Sequence, residues 1–83
     1  MSESAYKQKI LSQYRKDGWL TIGLIQTTMN GIPDTLMLKK GEQPFFIEFK
    51  AIGKTPRPLQ AYRHKEIREK TGLEVLTMIE PFP

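Results

Sequence analysis

The sequence predicts one α/β domain with the element order α-β-β-β-α-β. Three observations predict it. Apolar residues recur at helical spacing over 2–16 and 58–70. Segments rich in β-branched and aromatic residues fill the stretch between them and come again after the second. Gly or Pro punctuates most of the boundaries.

The first helix is expected over 2–16, with Ser2 or Ser4 able to cap it and Gly18 just beyond its end. Tyr6, Ile10 and Tyr14 fall on one face at steps of four, with Leu11 beside them. Glu3 lies on that same face, seven residues before Ile10. A first-turn Glu is favoured by the helix dipole, which is its ordinary reading. Residues 19–27 (WLTIGLIQT) read as a strand interrupted by Gly23, and MNGIP reads as a turn. Residues 34–39 form a short strand, Lys40-Gly41-Glu42 a hairpin turn, and 44–50 the next strand, whose initial Pro is tolerated at that position. Residues 51–57 (AIGKTPR) form a loop. Pro58 suits the first turn of the second helix and Gly72 its C-terminal cap, with Leu59, Tyr62 and Ile67 expected to be buried. Residues 73–79 (LEVLTMI) close the domain as a strand, stopped by Pro81.

With 83 residues the chain is small. A domain of this size buries only roughly 60% of the surface its unfolded chain exposes, so oligomerisation is a natural aid. The sequence has no cysteine and one histidine, which excludes disulfides, thiolate metal sites and a His-rich zinc site. Its 13 Lys and Arg against 9 Asp and Glu give a formal charge of +4, which suits a polyanionic partner. No apolar run approaches the roughly 20 residues of a membrane span, and MSESAYKQK lacks a signal-peptide core, so an intracellular protein without a membrane partner is expected.

The segment FFIEFK carries the chemistry. Side chains alternate along a strand, so Phe45, Ile47 and Phe49 share one face, and Phe46, Glu48 and Lys50 the other. A turn centred on Gly41 pairs residues whose numbers sum to 82: Leu38 with Pro44, Leu36 with Phe46, and Asp34 with Glu48. Opposed residues place their Cβ atoms roughly 4.5–5.5 Å apart, and two carboxylates so placed repel. A hard divalent cation, Mg²⁺ or Mn²⁺, would compensate. The ordinary readings are a Glu48–Lys50 surface ion pair and an Asp34 that initiates a turn. A slip of one residue in register would separate the three groups.

Gly31-Ile32-Pro33-Asp34 and then Glu48-Phe49-Lys50 resemble the signature of the PD-(D/E)xK nucleases, and the wider layout resembles their VRR-NUC (virus-type replication-repair nuclease) branch. That layout has a Glu on an early helix, G-x-P-D, E-x-K, a Gln near the start of the next helix, and a closing Gly and strand. Here these are Glu3, residues 31–34, residues 48–50, Gln60, and Gly72 with the strand over 73–79. The resemblance implies a restriction-endonuclease-like core with a mixed sheet flanked by helices. It implies metal-dependent hydrolysis of DNA phosphodiesters. Asp34, Glu48 and the Phe49 backbone carbonyl would hold Mg²⁺ or Mn²⁺, with Glu3 directly or through water. Lys50 would orient or deprotonate the attacking water, and Gln60 would contact water or substrate at the edge of the site. Small stand-alone members of the branch look like bacteriophage proteins and resemble Holliday-junction resolvases. That implies a homodimer acting on branched DNA in the host cytoplasm.

One position departs from the pattern. Where the family often has Ser or Thr as a helix cap, this chain has Arg57, a poor N-cap. Thr55 capping a longer start and Arg57 contacting phosphate are the two alternatives. Lys54, Arg57 and Arg63 are the foremost DNA-contact candidates, with Lys39, Lys40, Lys65 and Arg68 further along a possible phosphate track. His64 has no metal-ligand partner at useful spacing and reads as a surface residue or a minor DNA contact. The competing functions are a non-catalytic DNA-binding module on a nuclease fold and a protein-interaction domain in which the E-x-K is fortuitous.

Overall fold

The computed structural model describes residues 3–81. Its elements are α1 (Glu3–Lys16), β1 (Leu20–Gly23), β2 (Thr35–Leu38), β3 (Phe45–Lys50), α2 (Pro58–Thr71) and β4 (Val75–Ile79). The strands form one mixed sheet in the order β1-β2-β3-β4. β1 and β3 both run antiparallel to β2 between them, while β4 runs parallel to β3 because α2 carries the chain back across the sheet.

The β2–β3 register is the one the turn implies: Thr35 faces Ile47, Leu36 faces Phe46 and Met37 faces Phe45. This puts Thr35, Met37, Ile47 and Phe49 on one face, all at most 1% exposed. α1 covers that face, and Leu11 joins Met37, Ile47 and Phe49 in the core. Tyr6, Ile10 and Tyr14 pack around them, as their spacing on the helix requires. Trp19 stands just before β1 and meets Phe45 edge to face at 5.0 Å, which closes the end of the core near the hairpin.

β1 is shorter than the expected 19–27. The Leu24 N–H still donates to the Asp34 carbonyl at 2.8 Å. One step further, the register would set Ile25 against Pro33, beyond the last paired residues of β1. The chain leaves the sheet there, and Ile25 is 95% exposed.

α2 lies on the opposite face and packs against β4. Gly72 ends it with φ +73°, its N–H donating to the Arg68 carbonyl at 2.9 Å, so the chain reverses directly into β4. The helix does not bury the residues expected of it. Leu59 and Tyr62 are exposed, Ile67 is half-buried, and the one buried side chain is His64. His64 is therefore an interior residue, contrary to its reading as a surface one. Among the described residues, no helix is long and apolar enough to cross a membrane.

Candidate functional site

β2 and β3 part company at the end of the sheet remote from the hairpin turn. The ladder stops at Thr35–Ile47, and the side chain of Asp34 takes over from it. Asp34 Oδ2 accepts the Phe49 N–H at 3.0 Å, and Oδ1 accepts the Thr35 hydroxyl at 2.7 Å. In a strand, the N–H and C=O of one residue point to the same side. The Phe49 carbonyl therefore also points past the end of β2, beside Asp34.

Asp34 is presented there by the loop before it. Gly31 has φ +83°, and a Cβ at this position would lie 2.8 Å from the Leu59 carbonyl oxygen. Only glycine lets the loop pass this close to the start of α2. Arg63 fastens the same loop, its Nε donating to the Asn30 carbonyl at 3.1 Å.

An open cavity of about 490 Å³ occupies the gap between the strands. Asp34, Glu48 and Lys50 line its inner part, and Lys54, Thr55 and Arg57 come from the exposed loop after β3. Six of the residues singled out from sequence, Asp34, Glu48, Phe49, Lys50, Lys54 and Arg57, thus line one cavity. Lys50 Nζ lies 3.6 Å from Glu48 Oε2. Glu48 is only 5% exposed, and burial, reinforced by the charge of Asp34, pushes its carboxyl above the usual range against the pull of Lys50. Its other oxygen, Oε1, is buried without a hydrogen-bond partner and faces His64 Nε2 at 3.9 Å. Burial and the nearby Arg68 and Lys50 push the His64 imidazole below its ordinary value, so the ring is neutral near pH 7.

The remaining candidates fall elsewhere. Gln60 is not part of the cavity lining; its Oε1 accepts the Arg57 N–H at 2.9 Å. That bond caps α2 from inside the helix and offsets the lack of a side-chain cap at Arg57. Pro58 is the first helical residue, so no longer start capped by Thr55 forms. Arg63 is engaged by Asn30 and by Glu66 at 2.6 Å, away from the cavity. Glu3 opens α1, but its side chain lies outside the described residues.

Two residues at the site were not anticipated. Lys7 reaches Asp34 Oδ1 at 3.5 Å and lies 5.6 Å from the centre of the Phe49 ring. His64 meets Glu48 from the other face. A signal existed for both. Each stands four residues after a site candidate on the same helix, Lys7 after Glu3 and His64 after Gln60, and so shares its face.

Among the described residues, no three His, Asp or Glu side chains form a ready-made metal cage. Two carboxylates and a carbonyl offer only hard oxygen donors, a set that fits Mg²⁺ or Mn²⁺ completed by water and phosphate oxygens. The chain matches no protein-family model and no curated protein.

Proposed function

We propose that this protein is a Mg²⁺- or Mn²⁺-dependent DNA nuclease on a PD-(D/E)xK core of the VRR-NUC type. It hydrolyses phosphodiesters, with branched DNA such as four-way junctions as its substrate, and works as a homodimer. The observation that carries this reading is the convergence of Asp34, Glu48 and Lys50 on one open cavity flanked by Lys54 and Arg57.

The repulsion between the two carboxylates supports a cation between them. Burial first, and then the charge of Asp34, raise the pKa of Glu48, and a divalent ion would relieve the pair. Such an ion supplies Lewis-acid polarisation of a phosphoryl oxygen and a water of lowered pKa. Asp34, Glu48 and the Phe49 carbonyl would hold it. Lys50 orients the attacking water or takes its proton. As water oxygen bonds to phosphorus, the bond to the leaving sugar oxygen breaks. Lys54 and Arg57 neutralise flanking phosphates, which positions the strand without reading its sequence.

The homodimer rests on the small core and on an apolar surface. Leu20 and Ile22 lie on the α2 side of the sheet, beyond the part that α2 covers, and they are exposed like Leu59 and Tyr62 of α2 itself.

Calorimetric titration with Mn²⁺ and a DNA shift assay at two salt concentrations test the reading. The expected result is Mn²⁺ binding lost in Asp34→Asn, with DNA affinity that falls as salt rises. Salt-sensitive DNA binding with no metal binding would replace the nuclease by a non-catalytic DNA-binding module. Loss of both would remove DNA from the account.

A further inference from the structure

α2 inverts the usual choice of what a helix buries. Leu59 and Tyr62 are 46% and 60% exposed, while His64 is 3% exposed. A position that an aliphatic residue could fill for packing is held by an imidazole, on a helix otherwise rich in Arg and Lys. Departures from local rules of this kind gather at functional sites.

The surroundings of His64 say what the imidazole is for. Its Nε2 and Glu48 Oε1 are both buried, both lack a hydrogen-bond partner, and stand 3.9 Å apart. A hydrogen bond needs about 2.7–3.2 Å, so the pair is roughly 1 Å from closing. The terminal torsion of a Glu is broad and roughly two-fold, so a carboxylate without a fixed donor is poorly oriented. Lys50 lies against the other oxygen, Oε2, at 3.6 Å.

We propose that His64 is a positioning residue for Glu48: its Nε2–H donates to Oε1 of the ionised carboxylate and holds Oε2 toward Lys50 and the cavity. This inference rests on the metal-nuclease reading, in which Glu48 is a ligand. Carboxylate ligands are themselves held by hydrogen bonds, and loss of such a partner costs about 10–100-fold in metal affinity.

The test is Mn²⁺ calorimetry on the full chain, comparing wild type, His64→Leu, His64→Gln and Asp34→Asn, with thermal melts in chelator. Gln can place an amide N–H near the position of the imidazole Nε2–H, whereas Leu fills the space without a donor. His64→Leu is expected to bind Mn²⁺ about 10–100-fold more weakly. His64→Gln is expected to stay within a few-fold of wild type, and both are expected to melt cooperatively. If Leu does not fold, His64→Met takes its place. Wild-type affinity in the Leu or Met variant would overturn the inference. Equal losses in the apolar and Gln variants would do the same, as would a directly coordinated nitrogen in the electron-spin-echo spectrum of the Mn²⁺ complex. If wild type shows no Asp34-dependent Mn²⁺ binding, the metal reading itself falls and this inference with it. If wild type binds and His64→Leu matches it, only the role of His64 falls.

Discussion

Asp34 has a structural task that can be separated from any catalytic one. Its carboxylate accepts the Phe49 N–H at 3.0 Å and the hydroxyl of Thr35, which is 1% exposed. Asp34→Ala removes both acceptors. An orphaned buried donor costs about 1–3 kcal/mol, and these bonds are charge-assisted. The side chain is 28% exposed, so water entering the cavity can serve the Phe49 N–H in part, which favours the low end of that range. The substitution also relieves Glu48 of a like charge, a gain on the order of 1 kcal/mol. The balance is a net loss of about 1–2 kcal/mol, or roughly 5–15 °C in Tm for a domain of this size. Asp34→Asn keeps an amide oxygen for the Phe49 N–H and drops the charge, so it should stay within about 1 kcal/mol of wild type. Urea unfolding in chelator at pH 7 measures all three proteins. An Asp34→Ala variant at least as stable as wild type would refute the reasoning, because carboxylate repulsion would then outweigh the hydrogen bonds.

Two further outcomes come from the site and its supporting loop. The folded-state pKa of Glu48 is raised, so the stability it contributes is fully present below its unfolded value and lost as pH rises through the folded one. In chelator, Glu48→Gln should therefore be more stable than wild type at pH 7, by on the order of 1 kcal/mol, with the difference vanishing toward pH 4; melts across that range check it. His64 has the opposite sign, contributing stability above its unfolded pKa that is lost as pH falls, and it is common to both proteins in that comparison. Gly31→Ala must put a Cβ 2.8 Å from the Leu59 carbonyl at φ +83° and should cost about 2–4 kcal/mol by urea unfolding; a loss below about 1 kcal/mol would mean the loop yields freely.

The sheet was legible in the sequence wherever period-two alternation and turn chemistry agreed. One glycine-centred turn was enough to set the β2–β3 register, and the register brings Asp34 to Glu48. The end of β1 was less legible, because β-forming residues continue to Thr27 while the strand itself stops at Gly23. The orientation of α2 was hidden for a different reason. Apolar spacing points to Leu59 and Tyr62, but the helix is turned by polar contacts, with Arg63 on the Asn30 carbonyl and Arg68 reaching the Val75 carbonyl at 3.4 Å. Those contacts join residues distant in the chain, and they bring His64, not leucine, to the sheet. The capping bond of Gln60 was hidden as well, because it depends on the missing cap at Arg57.

The most direct test of the proposed nuclease is cleavage of a synthetic four-way junction beside a matched linear duplex, with Mg²⁺, with Mn²⁺ and with chelator, by wild type and Lys50→Ala. The expected result is cutting of the junction only with metal, reduced by about 100-fold or more in Lys50→Ala. No cutting of either DNA with any metal, or cutting that Lys50→Ala matches, would contradict it.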